Sequence, residues 1–457
     1  MVDRNEGVYK ESRVPEGYKP VKARFSIFFD GTGNNRANTA HRLRNDRAYT
    51  LLTWTALPFA RGSYENYFSN VSLLEENVAD AAEGYDFYRA LYVAGIGTTD
   101  DYTDHTPGMA GGTGPTGIPA KVVNAIREVG LQLATRYARE ATAVFFERVT
   151  IDTCGFSRGA AAARHCVHRI LHDPKAGLRA LLEGVGWRVG TIQVRAVGLY
   201  DTVSSYDPRW VPVEWNGLIP KLKPNFSNDV AELQLDAVGE AAAVYQLAAA
   251  EEYRENFALT NIASAAGKGR HIYLPGAHSD VGGGYIENAG EEQTLASGTD
   301  RCLAVLHFMR PRGWYRTGGP AAELHYFPEY NGTAVGMEGA APVHVPARLT
   351  AKRARISRRY TGIPLLLMGD FLKEQAVPVR PTLRAANDPG DVPGRRTIEA
   401  YANSIRDVTS SRPEHWEGVT TELARLRHDF LHVSFNSGIG MDVRIEGGRP
   451  SREVHQG

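Results

Sequence analysis

The chain has 457 residues, and its 52 Lys and Arg residues balance its 52 Asp and Glu residues, so no net charge favours a nucleic-acid partner. Three cysteines are too few for a disulfide framework, and none forms the Cys-x-x-Cys pair of a redox or zinc site. No window approaches the ~20 apolar residues of a membrane span, and the polar start has no signal-peptide pattern, so we expect synthesis in the cytoplasm.

After a polar leader at residues 1–22, predicted strands and helices alternate. In chain order they are strands in "RFSIFFD" (24–30) and "YRALYVAGIGT" (88–98), an amphipathic helix in 118–140, a strand in "RVTIDTC" (148–154), an alanine-rich helix to about Leu171, and strands in "TIQVRAVGLYD" (191–201) and "RHIYLPGAHSD" (270–280). This alternation is typical of an α/β fold with a mostly parallel central sheet and helices on both faces. In such sheets the chemistry collects at the carboxyl ends of the strands.

Other segments depart from the alternation. Ala231–Ala250 is rich in alanine and is predicted to be helical, whereas "LRHDFLHVSFN" (426–436) is predicted to be a strand. We therefore expect one catalytic domain at 23–310 and a C-terminal region at 311–457 that packs on it. Residues 95–117 and 208–250 are candidate lids, because both interrupt the sheet pattern with flexible or insert-like composition.

The sequence "GFSRG" contains a Gly-x-Ser-x-Gly motif centred on Ser157. The flanking Gly155 and Gly159 would let a strand and a helix approach closely, while the serine hydroxyl is exposed on a sharp turn. By itself the motif is equally compatible with a packing turn. A catalytic serine also requires a base, an acid and amide donors elsewhere in the chain.

Two later strand ends offer partners for Ser157. Asp201 ends "VGLYD" and His278 follows the strand in "LPGAHSD", which gives the order serine, acid, histidine of α/β-hydrolases. Asp201 could instead form a local turn, and His278 could be a structural loop histidine. His432 in "FLHVSFN" is the alternative base, although its apolar flanks favour burial within a strand.

Backbone amides must stabilise the oxyanion of the reaction. The amide of Arg158 is one candidate, and its backbone rather than its charge is the part that the chemistry needs. Gly31 and Thr32 in "FFDGTGNN" are the other candidates, with Asp30 as an orienting or turn-stabilising residue.

Two other functions remain compatible with these residues. Asp30, His278 and Asp280 carry donors that suit a metal-assisted phosphoesterase. The chain could also be a non-catalytic module of a secretion or phage-like particle. For the serine reaction itself we expect no metal and no cofactor.

Four linked motifs, "FFDGTGNN", "GFSRGA", "LYDTVSS" and "PGAHSDVGGGY", resemble the catalytic part of type VI secretion phospholipase effectors, specifically type VI lipase effector family 1. The resemblance covers about residues 24–290 and implies an α/β-hydrolase fold. It implies hydrolysis of an acyl ester of glycerophospholipids, commonly as phospholipase A2, with Ser157, Asp201 and His278 as the triad.

The resemblance also implies partners. An effector of this family would be carried by a secretion spike protein, would act on the target-cell envelope and would require a cognate immunity protein. The basic stretch "LTAKRARISRRY" (349–360) is a candidate contact for anionic headgroups, with a solvated or salt-bridged basic helix as the alternative interpretation.

Overall fold

The computed structural model describes residues 13–55, 60–140, 142–206, 209–216, 219–225, 229–319, 321–336, 339–438 and 440–457. The strands are β1 (Lys19–Phe29), β2 (Phe87–Val93), β3 (Val144–Phe156), β4 (Arg188–Tyr200), β5 (Arg209–Asn216), β6 (Ile219–Asn225), β7 (Ala243–Ala249), β8 (Leu259–Thr260), β9 (Gly269–Leu274), β10 (Ala289–Ser297), β11 (Leu324–Phe327), β12 (Tyr330–Gly336), β13 (Gly339–Val345), β14 (Arg348–Ile356), β15 (Ile445–Glu446), β16 (Arg449–Pro450) and β17 (Val454–His455). The α-helices are α1 (Arg36–Arg44), α2 (Arg47–Thr55), α3 (Gly62–Glu65), α4 (Asn70–Glu76), α5 (Thr106–Gly111), α6 (Ile118–Tyr137), α7 (Arg158–His172), α8 (Leu178–Gly184), α9 (His278–Gly282), α10 (Thr299–Met309), α11 (Gly362–Glu374), α12 (Thr382–Ala386), α13 (Arg395–Ser404) and α14 (Thr421–Phe430).

A six-stranded sheet in the order β2-β1-β3-β4-β7-β9 forms the centre of the molecule. Each neighbouring pair in it is parallel. The predicted α/β-hydrolase class is confirmed. Because the strands are parallel, their carboxyl ends meet at one edge of the sheet.

Helices cover both faces of this sheet. Along β1, Phe25 and Ile27 belong to a core with α6 and α7, whereas Phe28 belongs to a second core that includes α4 and α11. This division follows from the two-residue period of a strand, which sends successive side chains to opposite faces. Since α11 lies in the second core, the later part of the chain contributes directly to the packing of the sheet.

The predicted helix at Ala231–Ala250 is wrong. Its second half is β7, which lies between β4 and β9 in the sheet, and its first half contains a short 3-10 helix at Leu235–Glu240. Alanine favours helices only weakly, and pairing on both sides of a buried strand overrides that preference.

The predicted strand at 426–436 is also wrong. Helix α14 continues to Phe430, and residues 431–436 form no strand. Leu431, Val433 and Phe435 of this segment are nevertheless buried in the core. Packing against other elements takes the place of a ladder of hydrogen bonds.

The basic stretch at 349–360 lies largely in β14, the middle strand of the antiparallel sheet β10-β14-β11, so its interpretation as a helix is wrong. Three of its cations have acidic partners: Arg353 pairs with Glu291, Lys352 with Glu292 and Arg358 with Glu287. Within the described ranges, no helix has both the length and the apolar character needed to cross a membrane.

Candidate active site

Ser157 occupies a sharp turn between β3 and α7 at the carboxyl edge of the sheet. Its backbone has φ 60° and ψ −128°, a strained conformation for a residue with a side chain. Hydrogen bonds fix the turn: the Ser157 amide donates to the Tyr200 carbonyl at 3.0 Å, and the Val203 amide donates to the Ser157 carbonyl at 3.3 Å. The strand-turn-helix context predicted for a nucleophile is therefore present.

The two glycines of the motif are needed for close approach. A Cβ on Gly155 would lie 2.3 Å from the Gly159 carbonyl oxygen, and a Cβ on Gly159 would lie 2.2 Å from the Asp30 carbonyl oxygen. Both distances are far below van der Waals contact. Any larger residue would force the strand, the helix and the β1 end apart.

Asp201 and His278 come together at the same edge. Asp201 directly follows β4, and His278, predicted to lie on a loop, is the first residue of the short helix α9 beyond β9. His278 Nδ1 lies 2.5 Å from Asp201 Oδ2. The aspartate thus accepts the Nδ1 proton and leaves Nε2 as the free nitrogen of the neutral ring.

Ser157 and His278 line one pocket of about 480 Å³. Much of its wall is apolar and includes Phe156, Phe257 and Met109. The structure, over its described residues, has no direct hydrogen bond between the Ser157 hydroxyl and His278 Nε2. Such contacts commonly tighten only when substrate is bound.

Burial and charge set the protonation of the pair. Burial lowers the pKa of His278, and the hydrogen bond from the ring to Asp201 only partly offsets this effect. Burial alone would raise the pKa of Asp201, but the charge of Arg452 and the bond from His278 hold it well below its usual value. At neutral pH the pair is therefore a carboxylate beside a neutral imidazole, the state required of a general base.

His432, the alternative base, belongs to a different pair. Its Nδ1 lies 2.8 Å from Asp280 Oδ1, and its ring stacks on Tyr285 with centroids 3.5 Å apart. His432 does not line the pocket that contains Ser157. This arrangement favours His278 as the base.

The predicted oxyanion donors have different surroundings. Arg158 and Thr32 line the pocket, and Arg158 is the first residue of α7, whose initial amides have no partner within the helix. The Gly31 amide instead donates to Asp30 Oδ1 at 2.7 Å, and Gly31 is absent from the pocket wall. The Gly31 amide is thus engaged by Asp30, and its role as an oxyanion donor stays a prediction.

Asp30 and Asp280 both stabilise turns. Asp30 accepts hydrogen bonds from Gly31 and from the Tyr92 hydroxyl at 2.6 Å, and burial raises its pKa. Asp280 accepts from the amides of Ala277 and His432 and from His432 Nδ1. Among the described residues no three His, Cys, Asp or Glu side chains gather as a metal site would require. Asp30, His278 and Asp280 therefore form no metal-donor cluster in the part of the chain that the structure describes.

One candidate lid borders the pocket. Within 95–117, Met109 and Ala110 of α5 line it, and their carbonyls accept hydrogen bonds from the Arg158 guanidinium. The other candidate, 208–250, lies partly outside the described residues and ends in the central strand β7. The final residues of the 208–250 segment therefore belong to the central sheet rather than to a lid.

Several charged residues at this edge were not predicted from the sequence. Arg452 forms two hydrogen bonds to Asp201, Glu252 accepts a hydrogen bond from the His278 amide, and Arg254 pairs with Glu252. Arg452 lies in a C-terminal segment without any recognisable motif. Its distance of 251 positions from Asp201 hides the contact from sequence inspection.

The chain is similar to known proteins in part of its sequence and in its fold. Residues 186–308 match the family model described as T6SS, Phospholipase effector Tle1-like, catalytic domain. No curated protein matches the sequence. The fold resembles that of the Tle1 effector solved bound to the VgrG spike of the type 6 secretion system, with a TM-score of 0.58 and 19% identity over 99% of this chain and 98% of that one.

An uncharacterized protein from Pseudomonas aeruginosa is more distant, with a TM-score of 0.39 and 13% identity over 90% of this chain and 53% of that one. The family match includes Asp201 and His278, and the structural match spans nearly the whole chain. The resemblance carried by the four motifs is supported by the match of residues 186–308 to this family model, and the solved Tle1 effector shares the fold of this chain.

Proposed function

We propose that the protein is a serine esterase that hydrolyses an acyl ester of glycerophospholipids, as a phospholipase A with the A2 position favoured by the family resemblance. The observation that carries the proposal is the buried pair of His278 and Asp201, whose histidine shares one pocket with the strained Ser157. The proposed triad is Ser157, His278 and Asp201.

The reaction proceeds in two steps. Ser157 Oγ attacks the ester carbonyl carbon while His278 Nε2 takes the hydroxyl proton, and the same proton then passes to the leaving lysophospholipid oxygen. Water next attacks the acyl-enzyme, with His278 again accepting and returning a proton, and the fatty acid leaves. Asp201 holds the imidazole and stabilises its cation, while the Arg158 and Thr32 amides are the proposed oxyanion donors.

The pocket supports a phospholipid rather than a neutral ester. Phe156, Phe257 and Met109 offer apolar contacts for an acyl chain. The Arg158 guanidinium donates to three neutral oxygens, those of Thr32, Met109 and Ala110, and burial lowers its pKa to about 10. It still carries its charge at neutral pH, so it is available to the headgroup phosphate.

Delivery is proposed from the family and its solved relative. Because that Tle1 effector was solved bound to VgrG, we expect this chain to bind a spike protein of the same kind. It would then act at the periplasmic membrane surface of the target cell, and the producing cell would need an immunity protein. Copurification of this chain with a VgrG spike protein tests the first step.

The central experiment measures fatty-acid release from phosphatidylglycerol and phosphatidylethanolamine vesicles. Ser157→Ala is expected to abolish release, and Ser279→Ala, which alters another serine of the pocket wall, is expected to retain most of it. A fluorophosphonate probe should label the wild type and fail to label Ser157→Ala. Mixed-chain phospholipids would identify which acyl position is cut.

Three results would contradict the proposal. Release that survives in Ser157→Ala would exclude this serine as the nucleophile. Chelator-sensitive release of phosphate or a phosphorylated headgroup, without release of fatty acid, would favour the metal-assisted phosphoesterase. A wild-type protein that neither releases fatty acid nor reacts with the probe would favour a non-catalytic module.

A further inference from the structure

Arg452 forms a two-pronged ion pair with Asp201, the acid of the proposed triad. Arg452 Nη1 lies 2.7 Å from Asp201 Oδ1, and Nη2 lies 2.9 Å from Oδ2. The same Oδ2 accepts from His278 Nδ1, and Oδ1 also accepts from the Ala249 amide at 2.8 Å. Four donors thus surround one buried carboxylate and fix its plane.

The Arg452 side chain is itself held in place. Its Nε donates to the Phe257 carbonyl at 2.9 Å, and Nη1 also contacts the Ala249 carbonyl at 3.2 Å. The backbone around it is anchored by β17, which pairs with β8, and by the Leu259 amide donating to the Glu453 carbonyl. A planar guanidinium anchored in this way can set the orientation of a carboxylate, as a flexible ammonium cannot.

We propose that Arg452 is a positioning residue, which orients Asp201 toward His278 and balances its charge so that His278 stays neutral and able to accept the serine proton. This inference rests on the proposed role of Asp201. Arg452 does not line the pocket, so it acts through Asp201 rather than on the substrate.

Other charges also face the pair. Glu252 and Arg254 follow β7 and form their own ion pair, and Glu252 also accepts from the His278 amide at 3.3 Å. From β9, His271 and Tyr273 interact electrostatically with Asp201 and Arg452. Loss of Arg452 would therefore leave Asp201 and Glu252 facing His278, with Arg254 as the fixed cation that acts on the ring among the described residues. Excess negative charge stabilises the imidazolium.

The test compares Arg452→Gln with Arg452→Lys in full pH profiles of kcat/KM on phospholipid vesicles. Arg452→Gln should lower kcat by about tenfold or more. This decrease is smaller than the one expected when the base itself is lost. It should also shift the acidic limb of the profile to higher pH by about half a unit or more, because His278 protonates more readily.

Arg452→Lys keeps the charge without the planar geometry. The acidic limb of its kcat/KM profile should therefore stay near that of the wild type, while its kcat falls.

Arg449→Gln is the matched control, since Arg449 is an exposed arginine of the same C-terminal segment. Thermal unfolding of each variant separates folding from chemistry. An unshifted acidic limb in folded Arg452→Gln, or activity that falls only in proportion to the folded fraction, would overturn the inference. Ser157→Ala assayed in parallel keeps the two proposals distinct: its activity decides the nucleophile, whatever Arg452 does.

Discussion

Two buried histidine–aspartate pairs meet at helix α9, and they differ in what the histidine faces. His278 binds Asp201 and lines the pocket that contains Ser157, whereas His432 binds Asp280 and stacks on Tyr285, a residue of the pocket wall, without lining the pocket itself. Their hydrogen bonds are similar in length, so the bond itself does not distinguish a base from a structural residue. A base differs from a structural histidine because it shares a pocket with the nucleophile, as His278 does with Ser157.

The largest expected effect comes from replacing each of these two histidines in turn. In His278→Asn and His432→Asn, the new amide nitrogen can keep the hydrogen bond to the aspartate, but the substitution removes Nε2. His278→Asn should lower kcat/KM for vesicle hydrolysis by about 10²- to 10⁴-fold, because the base is lost. His432→Asn should remain within a few-fold of the wild type once corrected for the folded fraction. The reverse pattern would identify His432 as the base.

A second comparison sets the Asp201–Arg452 pair against Asp152–Arg24. In the latter, Arg24 binds both oxygens of Asp152 at 2.8 and 3.0 Å, and it also reaches the carbonyls of Gln375 and Ala376 beyond α11. This pair lies within the sheet and has no histidine partner. It joins the sheet to the helix on its face.

Asp152→Asn should therefore lower stability without changing the chemistry. Removal of one partner from a buried ion pair costs about 3–5 kcal/mol, because the other charge is left uncompensated. Urea unfolding should show this loss, while kcat of the folded fraction stays unchanged. The exposed pair of Lys352 and Glu292 provides the control: Lys352→Gln should cost less than ~1 kcal/mol. A fall in kcat of folded Asp152→Asn would contradict the separation of the two pairs.

A smaller effect is expected from the Arg158 side chain. Arg158→Gln keeps the backbone amide but removes the charge proposed to meet the headgroup phosphate. Its KM for phospholipid should rise about tenfold, in line with ~1.5 kcal/mol for a hydrogen bond to a charged group. Its KM for a short neutral ester should change much less, and Arg158→Lys should recover part of the loss. Equal effects on both substrates would leave only a structural role for the guanidinium.

The smallest effect is a pH dependence. Because burial lowers the pKa of His278, the acidic limb of kcat/KM should lie below the ordinary histidine value of 6.5. An acidic limb at or above pH 6.5 would contradict the lowered pKa of His278.

Stability must be followed over the same range. Burial lowers the pKa of His165 and of His271 to about 4, so both stay neutral in the fold while the unfolded chain takes up protons below 6.5. The unfolded state then binds more protons, and stability should fall as the pH decreases from 6.5 toward 4. Unfolding curves between pH 6.5 and 4 distinguish protonation of His278 in the folded enzyme from loss of the folded state.

The sequence alone determined much of this protein, because local signals and chain order suffice for a parallel α/β sheet. The strand before Ser157, the glycines beside it, and the strand ends at Asp201 and His278 are all recognisable from short segments. The errors arose where packing overrides local preference, as in the alanine-rich strand β7 and the unpaired segment after α14.

Only the tertiary structure decided which side chains meet. It places His278 in the wall of the Ser157 pocket and His432 outside that wall. It also shows that the Gly31 amide donates a hydrogen bond to Asp30. It also brings Arg452 across 251 positions to Asp201. The physical reason is that hydrogen bonds and desolvated charges depend on distances of a few ångströms, which chain spacing does not encode once segments far apart in sequence pack together.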